Sequence, residues 1–295
     1  MTTIRPVDVL CGAFLLALLL AVAATAGRLP SSGRTAAVLV ALLAGQAALV
    51  ALARARPTPA ARFAHAFSPV AVVVVVFDVL ADVVGYLIGP DRDAALTALD
   101  LALFGVHPTV WLERFVTPWL TDLMHLAYVS YYALPLVLCG RLYASGAGKA
   151  FDLAAFTLTF TFFLSYVGYL LVPAQGPRAL VASLQTVPLD GVLVTEPIRR
   201  TIEMLERLKR DAFPSGHTAV AVVAVALARR LDRRLFPAIL PFGVGVVLST
   251  VYTRYHYVVD VIAGLALGAL CLVLGPTVHR RLAGLLARLA QSGRS

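Results

Sequence analysis

Charge is scarce in this chain. Asp, Glu, Lys and Arg make up 14% of its 295 residues, where a soluble domain carries roughly a quarter. That shortage excludes an ordinary water-soluble fold. Acidic residues are scarcer than basic ones, 16 against 25, for a net charge of +9. Cysteine is rare too: Cys11, Cys139 and Cys271 each stand alone in an apolar segment. That spacing excludes a disulfide framework and a thiolate metal site, and leaves them as small packing residues. No internal repeat and no low-complexity tract is present, which excludes a solenoid. What remains is apolar, at 60% of residues with a mean hydropathy of +0.85. Several runs reach the ~20 residues needed to cross a bilayer as a helix. The chain reads as an all-α polytopic membrane protein.

Eight spans are expected, near 7–27, 34–53, 67–89, 117–139, 151–172, 215–230, 235–253 and 257–276. Arginines fill the second connection (Arg54, Arg56, Arg62), the sixth (Arg229, Arg230, Arg233, Arg234) and the tail (Arg280, Arg281, Arg288, Arg294). Arg141 and Lys149 flank the fourth. The positive-inside rule then puts both termini in the cytoplasm of a cell-membrane protein. The third connection, with Asp91, Asp93, Asp100 and Glu113, falls outside, and so do the fifth (173–214) and seventh (254–256). The basic balance is accounted for by orientation and anionic headgroups, so no nucleic-acid partner is expected. The first segment, with Arg5 before its apolar core and "AVAATAG" behind it, reads as a membrane helix; a cleaved signal is the other reading. Residues 1–66 are expected to form a two-helix extension, 67–276 a six-helix catalytic core and 277–295 a basic tail.

Two connections are more than linkers. Val194–Arg210 has Ile198, Ile202, Leu205 and Leu208 at helical spacing and predicts an amphipathic helix. "LTALDLALFGVHPTVWLERF" predicts a pair of interfacial helices, with Trp111 and Trp119 at the headgroup level.

The chemistry-bearing residues gather at the outer ends of the spans. "RDAFPSGHTAV" places Pro214, Ser215, Gly216 and His217 at a helix start, where free amides and the helix dipole favour an anion. Taken alone, such a stretch is as often a turn before an interfacial helix. "STVYTRYHYVVD" sets His256 and Asp260 four apart, on one helical face, so the carboxylate can orient the ring. That pair alone fits a structural hydrogen bond or two ligands of a metal. "VPAQGPR" contributes Arg178, suited to gripping a phosphoryl oxygen, although a lone arginine there also serves as an interfacial anchor. Together on one face, these pieces assemble a nucleophile, an acid/base, an anion cradle and arginines, an inventory for phosphoryl transfer.

"PSGH" and "RYHYVVDVIAG" resemble the second and third signature motifs of the type 2 phosphatidic acid phosphatase superfamily, membrane lipid-phosphate phosphatases and phosphotransferases. "DLALFGVHPTVWLERFVTPWLTDLMHLAYVSYYALP" and "VPAQGPR" are most similar to the branch containing inositol phosphorylceramide synthase, and the resemblance covers residues 67–276. It implies His256 as a nucleophile forming a phosphohistidine and Asp260 as its orienting partner. It also implies His217 as the proton donor and acceptor, phosphate binding by Ser215, Gly216 and Arg178, and no metal or other cofactor. Three positions depart from the family pattern, one of them Ala179, which follows Arg178 where the first motif has proline. Leu171 stands where the first motif has lysine, and Thr250 where the third has arginine. Arg254 is the expected substitute cation, with an ordinary interfacial role as its alternative. A phosphodiester carries less charge than a monoester and needs fewer cations, which favours headgroup transfer between lipids.

Five polar residues inside spans remain, Asp122 among them. Asp78 and Asp82 share one face of the third span, and His125 and Tyr128 lie in the fourth, after Asp122. Ionisable groups there are expensive and functional by default. Asp78, Asp82, His125 and Tyr128 are expected to line a lipid or acceptor pocket, or else to pair between helices for packing. A metal at Asp78 and Asp82 is also compatible with their spacing. The competing function is a transporter or channel using Asp78, Asp82 and His125 as its path. The expected partners are a phospholipid or lipid-phosphate substrate and the bilayer.

Overall fold

The computed structural model describes residues 4–84, 86 and 89–292, so the predicted end of the third span falls partly outside them. Twelve α-helices and two 3-10 turns, with no strand, are found among the described residues. They are α1 Pro6–Ala24, α2 Ser32–Ala55, α3 Pro59–Val83, α4 Asp93–Phe104, α5 Pro108–Trp111 and α6 Pro118–Ala144. The chain continues through α7 Gly148–Leu171, α8 Pro177–Leu180, α9 Thr195–Leu205, α10 Gly216–Leu231, α11 Phe236–Tyr252 and α12 Val258–Ser292. All eight expected spans correspond to helices. Six are long and apolar enough to cross a bilayer: α1, α2, α3, α6, α7 and α12.

Of the two short ones, α10 with 16 residues packs among α6, α7, α11 and α12, whereas α11 with 17 lies at the edge of the bundle with Val244 and Leu248 exposed. Gly264, six residues into α12, lies against the carbonyl of Ser215, the residue that caps α10. At 1.5 Å per residue, α10 therefore begins about 9 Å below the start of α12. A helix that starts recessed reaches the far side with fewer residues. The recess is where the "PSGH" stretch sits.

Close approach of small residues builds this arrangement. A side chain on Gly264 would meet Ser215 O at 2.5 Å, and one on Gly268 would meet Ala219 O at 3.1 Å, so α12 packs backbone to backbone on α10. Around them, α6, α7, α10, α11 and α12 share one apolar core that includes Leu138, Leu158, Val223, Val246 and Cys271. A second core joins α1, α2 and α3 to α7 through Leu15, Leu39, Val76 and Phe163. The three cysteines are buried and unpaired, in keeping with packing roles.

A third, small cluster caps the outer end: Leu96 of α4 with Ala174, Val181, Ala212, Tyr257 and Val259. Here α4 and the following α5–3-10 segment form the expected helix pair, bent by 60°. The amphipathic helix predicted over Val194–Arg210 is shorter than expected. It ends at Leu205, and Glu206 is extended. The next residues are pulled onto other partners: Tyr132 Oη–H donates to Glu206, Arg207 pairs with Asp78 and Asp82, and Arg210 pairs with Asp91.

Candidate active site

His256 and His217 come together in the recess, 3% and 6% exposed, with ring centroids 5.6 Å apart and edge to face. His256 lies in the short turn between α11 and α12, and His217 in the first turn of α10. The Nδ1 of His256 is 2.8 Å from the carbonyl of Ala212, an oxygen that can only accept. The proton is thereby fixed on Nδ1, and the lone pair belongs to Nε2. Asp260 was expected to play this part. Its carboxylate is 3.6 Å from Nδ1, near enough to stabilise a positive ring, but it is not the hydrogen-bond acceptor. Its Oδ2 accepts from the Tyr257 amide at 2.8 Å instead, closing the first turn of α12.

His217 is gripped by rings. It stacks on Tyr128 at 4.4 Å and packs tilted against Tyr131 at 4.1 Å, and its Nε2 is buried without a hydrogen-bond partner. The column continues outward: Tyr128 stacks on Tyr255 at 4.6 Å, and the Arg178 guanidinium lies 3.5 Å above the Tyr255 ring. Arg178 also donates to the Thr253 carbonyl at 2.9 Å. A single stack from Arg178 through Tyr255 and Tyr128 to His217 thus ties the first motif to the second. The sequence offers Arg254 an interfacial role as its alternative, and the stack through the next residue, Tyr255, is not foreseen there. Tyr255 lies far along the sequence from Arg178, and an aromatic gives no such signal without the fold.

The anion cradle is narrower than the sequence promised. Ser215 is fully buried, its amide donates to Asp260 O at 3.0 Å, and its hydroxyl accepts from the Thr218 amide at 3.3 Å. The Tyr169 hydroxyl stands where a Gly216 side chain would be, 2.1 Å from a built Cβ, so only glycine fits. Two of the three expected amides therefore already face protein groups. Arg254 also has partners: it donates to Glu113 at 2.8 Å and to the Val187 carbonyl at 2.6 Å. Its backbone is left-handed, with φ 66°. Burial lowers its pKa and Glu113 opposes that shift.

Carboxylates of the outer connections act on backbone amides. Asp93 accepts from Gln175 N at 2.9 Å, Gly176 N at 2.8 Å and Tyr257 Oη at 3.2 Å, joining the turn before Arg178 to the residue after His256. Asp100 accepts from Val258 N and Val259 N at 3.0 and 2.9 Å and caps α12. Asp122 accepts from the four amides of residues 192–195 and from the Thr195 hydroxyl. The sequence marked Asp93 and Asp100 only as outer charge and placed Asp122 inside the fourth span.

The four-residue pocket does not assemble. Arg207 holds Asp78 at 2.9 Å and Asp82 at 2.8 Å in a partly exposed cluster. His125 is fully buried on α6, with Nδ1 2.8 Å from Thr121 O. Tyr128 alone joins the histidines, because it belongs to the stack. Glu206 and Asp211 lie on the segment that leads into Pro214. Burial pushes both carboxyls up, and each ionised form raises the cost of the other.

Two histidines, an arginine and a helix start thus meet in one recess of a helical membrane bundle. The sequence profile of the PAP2 superfamily matches residues 94–274, and the chain belongs to that superfamily. A protein from Dictyostelium discoideum described as a PA-phosphatase related-family protein is 28% identical over 119 residues. The aligned part is 39% of this chain and 21% of that relative, so the chain spans well under two thirds of it. No solved structure matches the chain.

Proposed function

We propose that the protein is an integral-membrane enzyme that transfers the phospho group of an amphiphilic lipid phosphate through a phosphohistidine on His256. The observation that carries this reading is the pairing of the two rings. Ala212 holds the proton on Nδ1 of His256, and the unpartnered Nε2 of His217 is buried beside that ring. Membership of the PAP2 superfamily and the relative's description support a phosphatase-type activity.

In the first step Nε2 of His256 attacks phosphorus in line. A P–N bond forms, the P–O bond to the leaving group breaks, and protonated His217 delivers its proton to the departing oxygen. Asp260, 3.6 Å from Nδ1, stabilises the positive imidazole. Arg178 and the His217 amide steady the non-bridging oxygens. In the second step neutral His217 takes a proton from water or an alcohol, whose oxygen attacks phosphorus as the P–N bond breaks. No step calls for a metal.

Headgroup transfer of the kind catalysed in the inositol phosphorylceramide synthase branch is the reading we favour over hydrolysis. Leu171 and Thr250 remove two cations of the family pattern, and Glu113 neutralises the substitute, Arg254. Arg178 is then the chief side-chain cation, which suits a singly charged phosphodiester. The six-helix part, residues 67–276, is the proposed catalytic unit. Arg229 and Arg230 lie at the opposite end of α10 from His217, which supports a site on the extracytoplasmic face. Pairing of Asp78 and Asp82 with Arg207 removes two members of the path that a transporter would use.

Product analysis tests the reading. Purified protein is given labelled phospholipid with and without a lipid alcohol. A new phospholipid that forms only with the alcohol supports headgroup transfer. Free phosphate or free headgroup phosphate forming regardless of the alcohol makes the enzyme a hydrolase.

A further inference from the structure

A groove of about 1200 Å³ runs along the outside of the bundle between α10 and α11. Its walls are apolar, with Val222 and Val225 on α10 facing Val244 and Leu248 on α11. At one end stand Arg229, Arg230 and Arg233, beside Phe236. The other end reaches Ala221, one helical turn below His217, where Leu265 of α12 closes it.

Charge and length both describe an occupant. The acid among these arginines, Asp232, is taken by Arg141. Arg229 lies 5.9 Å over the Phe236 ring, a contact that leaves its charge uncompensated. From Phe236 to Leu248 the groove follows α11 for about 18 Å at 1.5 Å per residue, close to the ~15 Å of one hydrocarbon leaflet. Leu248 and Val244 are 60% and 50% exposed, so the channel is open sideways to the membrane. A cavity beside Arg5, Arg54 and Arg62 at the same end of the bundle is different, because Asp8 and Asp152 already face Arg5.

We propose that this groove is a binding site for one anionic phospholipid of the leaflet at the arginine-rich end, with its phosphate on Arg229, Arg230 and Arg233 and an acyl chain along α10 and α11. The bound chain fills the outer side of the helix that carries His217 and braces it. The site is separate from the histidines, and it stands whatever reaction they perform.

The test uses full-length protein in mixed micelles of phosphatidylglycerol and phosphatidylcholine. Native mass spectrometry counts retained lipid, and thermal unfolding is followed alongside. Wild type should retain one phosphatidylglycerol in preference to phosphatidylcholine. At about fivefold per arginine near a surface, R229Q/R230Q/R233Q should weaken retention by about a hundredfold. Val244→Trp, which fills the groove and leaves the arginines, should also expel the lipid. R280Q/R281Q, outside the groove at the same end, should retain it, and phosphatidylglycerol should raise the melting temperature of wild type and of this control alone. Equal retention of both lipids, unchanged retention in the triple variant, or equal loss in the control overturns the site. A dimer that Val244→Trp dissociates would also overturn it, making the face a contact between copies.

Discussion

Removing the Asp93 carboxylate should uncouple Arg178 from His256 without touching either residue. Asp93 is 4% exposed and accepts from two amides and one hydroxyl. Hydrogen bonds to a charged acceptor contribute about 1.5–3 kcal/mol each. Three of them bound the gross loss in Asp93→Ala at about 5–9 kcal/mol, and water reaching the freed amides should reduce it to about 3–5 kcal/mol. Asp93→Asn keeps one accepting oxygen and should lose about half as much. A catalytic cost should accompany the stability cost. Gly176 is held in a left-handed turn at φ 89° against the carbonyl of Tyr255, and that turn aims Arg178. A displacement of about 1 Å there is worth about a hundredfold in rate. The assay is turnover of a labelled phospholipid at a temperature well below the melting point of each variant. KM should rise while the folded fraction, read by far-ultraviolet circular dichroism, is unchanged. Asp93→Ala with a melting temperature and kcat/KM within twofold of wild type would refute the clamp.

Other outcomes follow from the same geometry. Tyr255→Phe should retain activity, whereas Tyr255→Leu removes a cation–π contact of about 1–2 kcal/mol and should raise KM about tenfold; equal kinetics would show that the stack does not position Arg178. Gly176→Ala puts a Cβ 2.2 Å from Tyr255 O and should abolish turnover while the spanning helices still form, as judged by helical content. Burial pushes Asp211 up to about 7. With the folded value raised above the unfolded one near 4, the stability it contributes is full below about pH 4 and is lost as pH rises through 7. The melting temperature of wild type should therefore fall from pH 5 to pH 8 more steeply than that of Asp211→Asn; parallel slopes would place the titration elsewhere.

The helices and the histidine pair were legible because they rest on local signals. Apolar runs set the spans, and Pro-Ser-Gly before an apolar stretch sets a helix start. The short α10 was visible as a segment, but its recessed start depends on Gly264 and Gly268, whose partners lie about fifty residues away in sequence. Long-range pairing hid the rest. His256 is oriented by Ala212 and not mainly by Asp260, and a backbone carbonyl leaves no mark in composition. Asp78 and Asp82 share a face as the helical period requires, yet their partner is Arg207, on a segment predicted to be helical. Arg254 was assigned by proximity to His256, while its own left-handed backbone turns the guanidinium to Glu113.

The most direct test of the central claim is to look for the covalent intermediate. Protein mixed with labelled phospholipid is quenched in alkali within one turnover, digested and read by mass spectrometry, with His256→Ala in parallel. An acid-labile phosphate adduct on His256 in wild type, and neither adduct nor turnover in His256→Ala, is the result predicted. Turnover that survives His256→Ala, or an adduct on another residue, would contradict it.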